Sequence, residues 1–219
     1  KIGRMVGLPL LIGVVTGMAV GGLLPVMESV FGVTTDVSWL ELGDLNHPLM
    51  RRLSIEAPGT YHHSLVLANL AEAAAESIGA SAVMCRVCCY FHDIGKLNKP
   101  EYFIENMDPN DNPHADLTAR MSALVLIAHV KDGVDLAIQH NLNCRIVDVI
   151  EQHHGTSLAY YFYRRALDQK AEFLRLVEQE KASGDDVPQI SEDVFRYPGP
   201  KPQFRESAII SLADRSEER

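Results

Sequence analysis

Hydrophobic and polar positions follow two regimes along the chain. From Met5 to Met27 there are 23 consecutive uncharged residues, bounded by Arg4 and Glu28. That exceeds the roughly 20 apolar residues a helix needs to cross a bilayer. Gly13, Gly17 and Gly21 recur at every fourth position, a small-residue stripe that lets another membrane helix approach closely. The pattern predicts a transmembrane helix over residues 1–27. A secretory signal peptide and a buried helix of a soluble protein are the competing readings. The run is long for a signal peptide and lacks an obvious small-residue cleavage site. The chain opens on Lys1 and shows one such span, so a fragment preceded by further membrane helices is expected.

Residues 28–47 are polar and acidic without strong periodicity and read as a linker. From residue 48 to 219 the pattern is helical. Thr60 can cap a helix to about Ile78, with Gly79 as its stop, and Ser81 can cap another over Ala82 to Phe91. The segment Lys99 to Pro113 reads as a loop rich in Pro, Asn and Asp. Further helices are predicted over about Asp116–Val130, Gly133–His140, Arg145–Gln152 and Ser157–Ala182. A polar Pro- and Gly-containing stretch, Ser183 to Pro202, separates them from a last helix over Arg205–Glu218. No alternating strand pattern and no repeat is visible. The expected architecture is an all-α bundle behind a membrane helix.

Composition narrows the class. Hydrophobic residues make up 47% of the chain, enough for a packed core and too many for a disordered one. With 20 Lys and Arg against 29 Asp and Glu, the formal charge is −9. An acidic chain is poorly suited to nonspecific binding of a nucleic-acid polymer, which requires a basic surface. Three of the four cysteines, Cys85, Cys88 and Cys89, crowd into one apolar helix. They resemble zinc spacing, but with no second cysteine pair they read as core in a reducing compartment. The unusual count is histidine, of which there are nine.

His63 falls on the helix face of Leu67, Leu70 and Ala74, whereas His62 shares a face with Asn69 and Glu76 and should point outward. His92-Asp93, His129 and His153-His154 also stand at helix ends or on apolar faces. An imidazole aimed into a core needs a partner, either a hydrogen bond or a metal. Several imidazoles with a carboxylate and no nearby thiol suit iron, manganese or zinc. His92 and Asp93 project about 100° apart on a helix, so they can grip different parts of one centre. A carboxylate can bridge two cations, which an imidazole cannot. Lys96 follows closely enough to add positive charge. Such a set fits metal-assisted cleavage of phosphate esters. Arg120, Lys131 and Arg145 are further cations for an anionic ligand, or else solvated surface charges, and His114 lies either at the site or on the surface. The aromatic run Tyr160–Tyr163 offers either base stacking or core packing.

His92-Asp93-Ile94-Gly95-Lys96 resembles the signature of HD-domain metal-dependent phosphohydrolases. The wider series runs in order. It begins with Glu56-Ala-Pro-Gly-Thr-Tyr-His-His-Ser64, followed by Asn112-Pro-His114, the Ser-Ala-Leu of 122–124 and His129-Val-Lys-Asp-Gly133. It ends with Gln152-His-His-Gly-Thr156 and Phe195-Arg-Tyr-Pro-Gly-Pro-Lys-Pro-Gln203. That series is similar to the seven-transmembrane HD-domain cyclic di-AMP phosphodiesterases of the PgpH type, from about Leu42 to the end of the chain. The resemblance implies an HD helical bundle that hydrolyses cyclic di-AMP to the linear dinucleotide with two divalent metal ions, iron or manganese. By position, His63, His92, Asp93 and Asp214 would hold one metal. Asp93 would bridge to a second, held by His129 and His153. His154 would complete that set or bind a phosphate oxygen, Lys96 would contact phosphate, and His114 would line the site. Asp93 and Lys96 would be the catalytic pair.

The resemblance also implies that the first helix is the last of a membrane domain, with the HD domain in the cytoplasm of a cell-membrane protein. The flanking charges, basic at Lys1 and Arg4 and acidic at Glu28, Asp36, Glu41 and Asp44, argue for the opposite orientation. The family likeness is taken over that signal. The glycine stripe suits a homodimer and equally packing against other helices of the same protein. The chain stops five residues after Asp214, so the last helix is expected to be short for this fold. Two other functions fit the same residues: an HD phosphohydrolase for another nucleotide, and a membrane-tethered nucleotide sensor with weak catalysis.

Overall fold

A computed structural model describes residues 2–31, 34–179, 187 and 189–217. The chain divides into two compact units, Lys1–Glu41 and Leu42–Arg219.

In the first unit, helix α1 spans Ile2–Phe31. Within it, Val6–Glu28 is long and apolar enough to cross a membrane, and that window has no buried part. The Glu28 carboxylate accepts hydrogen bonds from the Thr35 amide and the Ser38 hydroxyl, each at 2.8 Å. These bonds set the start of α2, Asp36–Leu42. The segment expected to be an irregular linker is therefore partly helical.

The second unit is built from α3 (Pro48–Glu56), α4 (Pro58–Ile78), α5 (Ala82–Phe91), α6 (Ala119–Gln139), α7 (Cys144–Gln152), α8 (Tyr160–Glu178) and α9 (Arg205–Glu217). Among the described residues there is no strand, only an isolated antiparallel bridge between Leu158 and Arg196. The all-α expectation holds. Helix α3 was not foreseen. Its N-terminus is capped by His47, whose Nδ1 accepts from the Leu49 amide, with Pro48 in the first turn. Helix α4 stops at Gly79 in a left-handed conformation, and Ser81 caps α5, as the sequence indicates. The two helices expected over 116–140 are one continuous α6. Helix α8 starts at Tyr160 rather than Ser157, and the predicted end at Ala182 lies outside the described residues, as does Glu218.

Helix α4 packs on α5 and α9, and α6 packs on α7, α8 and the turn that follows α5. The core gathers Leu53 from α3, Leu67 and Ala71 from α4, Phe91 from α5, Ile146 and Ile150 from α7 and Ile210 from α9. Cys85, Cys88 and Cys89 are buried there as free thiols. Burial pushes the Cys85 thiol up to about 12, and nearby Glu206 adds to the effect. These are inert core side chains. A satellite cluster of Ala119, Ala123, Phe162, Ala166 and Phe195 joins α6 to α8.

Gly95 and Gly133 set the depth of the site. A Cβ at Gly95 would lie 1.8 Å from the His129 carbonyl oxygen and 2.5 Å from the Gly133 amide nitrogen. Only a residue without a side chain lets the turn after α5 rest directly on α6. That contact brings Asp93 against His129. It also explains why α6 keeps Gly133 in its interior despite the cost of glycine in a helix.

Candidate metal centre

Five segments deliver the cluster. α4 carries His63, the end of α5 gives His92 and Asp93, α6 gives His129, the end of α7 gives His153 and His154, and α9 gives Asp214. All seven side chains are buried. The buried stripe around His63 runs through Thr60, Ser64, Leu67, Ala68, Ala71 and Ala75. Leu70, which the spacing placed on that face, is exposed.

The imidazoles are oriented in a common way. His92 Nδ1 lies 2.8 Å from the Cys89 carbonyl, His129 Nδ1 2.6 Å from that of Leu126, and His153 Nδ1 2.7 Å from that of Ile150. A carbonyl oxygen only accepts, so each Nδ1 carries the hydrogen, and in a neutral ring Nε2 is a bare lone pair. These lone pairs converge on Asp93. His92 Nε2 is 3.2 Å from Asp93 Oδ2, whereas His129 Nε2 and His153 Nε2 are 3.3 and 3.6 Å from Oδ1. His63 Nε2 and His92 Nε2 lie 3.1 and 3.6 Å from Asp214 Oδ1.

Lone pairs facing carboxylate oxygens repel unless a proton or a metal ion lies between them. His92 Nε2, Asp93 Oδ1 and Asp214 Oδ2 are buried without a hydrogen-bond partner. Orphaned buried polar atoms in one cluster call for an ion or a water between them. The ligand atoms form two groups, His63/His92/Asp214 and Asp93/His129/His153/His154, each with its atoms within 4.8 Å of one another. The donor set fits two divalent cations.

Electrostatics follow the same division. Burial opposes charge on His92, but Asp93 and Asp214 outweigh it and push this imidazole up to about 10. His63 is also raised, with burial opposed by the bond to Asp214. Burial holds His153 below its usual value, and burial with His153 and His129 nearby holds His154 well below. Burial works against the Asp93 charge, yet His92 and Lys96 keep its carboxyl well below the usual range.

A cleft of about 910 Å³ opens onto this cluster, with His63, His129 and His154 on its wall. Lys96, His114 and Tyr161 line it as well. Lys96 is buried, its Nζ 2.8 Å from Asp93 Oδ2, 2.7 Å from Glu105 Oε1 and 5.0 Å from the Phe103 ring centre. Burial lowers its basicity, but Asp93 and Glu105 more than reverse this, so it stays an ammonium. His114 is buried, with Nε2 donating to the Tyr102 carbonyl at 2.8 Å and its ring 4.8 Å from Phe162. Phe162 belongs to the core, whereas Tyr160 and Tyr161 are exposed. Arg120, Lys131 and Arg145 are exposed and do not line the cleft. His62 is exposed, as expected, at the rim.

Several functional neighbours escaped sequence reasoning. Arg165 lines the cleft and donates to the His114 and Leu117 carbonyls at 3.0 and 3.3 Å. Glu105 accepts from Lys96 and, at 2.9 Å, from the Thr60 hydroxyl. Asn106 Oδ1 accepts from the Gly59 and Thr60 amides at 2.8 and 3.1 Å, pinning the loop to the start of α4. Tyr197 stacks on His154 with ring centres 4.2 Å apart. Glu217 is bonded to His63 Nδ1. Tyr197 lies in the Phe195–Gln203 motif; the others carry no local spacing signal.

A helical bundle that closes two His/Asp sets around an adjacent His-Asp pair defines the class. Residues 60–218 match the family model described as HD domain, and the chain belongs to the HD-domain family. It is 45% identical over 216 residues to Cyclic-di-AMP phosphodiesterase PgpH of Bacillus subtilis (strain 168), covering 97% of this chain and 28% of that protein. It is 41% identical over 193 residues to the protein of the same name from Listeria monocytogenes serotype 1/2a (strain 10403S), covering 88% and 24%. The chain thus spans about a quarter of the length of these curated relatives. Among solved structures it is similar to the L. monocytogenes phosphodiesterase PgpH HD domain, with TM-score 0.68, 41% identity and coverage of 79% and 73%. It is equally similar to that domain in complex with cyclic-di-AMP, with TM-score 0.68 and 42% identity.

Proposed function

We propose that this chain carries the catalytic domain of a membrane-anchored phosphodiesterase that hydrolyses cyclic di-AMP to the linear dinucleotide. The observation that carries the reading is Asp93, which turns one oxygen toward each of two imidazole sets at the wall of the cleft. Similarity to the L. monocytogenes domain solved with cyclic-di-AMP supports the choice of substrate.

His63, His92, Asp93 and Asp214 would hold one cation, and Asp93, His129, His153 and His154 the second; iron or manganese suits such a set. When bound, two divalent ions supply Lewis acidity, an activated water at neutral pH and charge stabilisation of the phosphoryl oxygens. The chain's own residues do the rest. The carbonyls of Cys89, Leu126 and Ile150 hold three imidazoles with Nε2 turned inward. Burial keeps His153 and His154 neutral and able to ligate. Lys96 keeps a fixed positive charge beside Asp93 and is the group we assign to a phosphate oxygen. In a domain of net negative charge, that local cation and Arg165 favour a dianionic substrate. Exposed Tyr161 and Ile104 line the cleft and offer apolar surface to the bases. We place the HD unit on the cytoplasmic side of the membrane.

The test is turnover of cyclic di-AMP beside cyclic di-GMP, with manganese or iron supplied. Metal-dependent formation of the linear di-adenylate, lost in Asp93→Ala, is the expected result. Turnover of another nucleotide diester alone would move the substrate. Two bound metals without turnover of any nucleotide would point to a sensor.

A further inference from the structure

Three imidazoles of the metal centre, His92, His129 and His153, take their orientation from a carbonyl three residues earlier in their own segment. His63 does not. Its Nδ1 is bonded to the carboxylate of Glu217, 154 residues away in sequence. Its Nε2 faces Asp214 Oδ1 at 3.1 Å. Asp214 and Glu217 are three apart on α9 and so share one face of that helix. Both ring nitrogens of His63 are therefore met by carboxylates from a single turn of α9.

The two kinds of partner act differently. A carbonyl fixes which nitrogen carries the hydrogen. A carboxylate does this and also adds negative charge to the ring, which strengthens the lone pair on the other nitrogen as a ligand. Glu217 is the acidic outer partner on the His63/His92/Asp214 side. His129 and His153, on the other side, have carbonyl partners instead. Its side chain is 35% exposed, so replacing it leaves the core intact.

We infer that Glu217 is a positioning residue of the metal centre, fixing His63 and tightening the cation site formed by His63, His92 and Asp214. This rests on the two-cation reading of the cluster. Loss of such an outer partner typically costs about 10- to 100-fold in metal affinity.

The experiment is a manganese titration of the metal-free full chain, by calorimetry and by electron paramagnetic resonance, with a thermal melt of each protein. The parent should bind two cations. Glu217→Ala should weaken one of them by about 10- to 100-fold and leave the other within about twofold, with the metal-free melting temperature little changed. Glu217→Gln keeps an acceptor oxygen without the charge and should fall between parent and alanine variant. Unchanged binding in both variants overturns the assignment. Equal weakening of both cations with a lowered melting temperature in the metal-free protein also overturns it, because that is the mark of a merely structural role for α9. A parent that binds no cation sinks the two-cation reading and this inference together, a result distinct from the other two.

Discussion

Gly95→Ala tests the packing that assembles the site. A methyl group at Gly95 would sit 1.8 Å from the His129 carbonyl oxygen, and the next obstacles, at 2.5 and 2.8 Å, are also backbone atoms of α6. No flexible side chain can yield, so the turn bearing Asp93 and Lys96 must lift off α6 by roughly 1.5 Å to reach ordinary contact. Overpacking of a rigid core costs about 1–3 kcal/mol or more, and for a chain of this size the upper end corresponds to a fall of about 6–12 °C in melting temperature. The catalytic loss should be larger than the stability loss, because a displacement of about 1 Å in a reacting group can cost roughly 100-fold. The assay is thermal melting, bound metal per chain and cyclic di-AMP turnover on the same preparation. Gly133→Ala is the graded comparison. There the methyl group first meets Ile150 Cγ2 at 2.9 Å, a side-chain atom that can give, and milder losses are expected. Gly95→Ala with the parent's melting temperature, metal content and turnover would refute the packing argument.

Other perturbations separate the parts of the site. Lys96→Met removes a buried ammonium without shortening the side chain; if it contacts phosphate, KM for cyclic di-AMP should rise by about 10- to 100-fold, as steady-state kinetics would show. Tyr161→Ala should raise KM by roughly 5- to 100-fold if a base stacks there, with bound metal unchanged; an unaltered KM would remove Tyr161 from the substrate site. Stability should depend on pH in a metal-sensitive way. In the metal-free protein His92 is pushed up to about 10 by Asp93 and Asp214 against the effect of burial. Its contribution is complete below about pH 6.5 and is lost as pH rises through about 10. Melting temperature in the presence of a chelator should therefore fall between pH 7 and 10. Bound manganese should flatten that slope, because the ion displaces the proton.

Much of the cluster was legible because its residues are chemically rare in a helical core. Six buried positions, His63, His92, Asp93, His129, His153 and His154, carry polar groups where periodicity asks for apolar ones. Their order along the chain matches one family. Asp214 was placed by family position, since an acidic residue on a terminal helix is otherwise unremarkable. Helix starts and stops were readable where a local group makes the cap, as at Ser81 and Gly79. They were misread where tertiary contact decides. The pattern suggests a break between Val130 and Gly133, but the helix runs through, and Gly133 is the surface on which Gly95 rests. Helix α3 was missed because its cap is an imidazole rather than a hydroxyl or a carboxylate. Glu105, Asn106, Arg165 and Glu217 stayed hidden because their partners lie 9 to 154 residues away, and only the folded chain brings them together.

The proposed function requires Asp93 to join two cations. Electron paramagnetic resonance of the protein loaded with two equivalents of manganese tests it most directly. Two ions sharing a carboxylate should give the spectrum of an exchange-coupled pair, and Asp93→Ala should lose the coupling. A spectrum of isolated ions in the parent, or saturation at one ion per chain, would contradict the account.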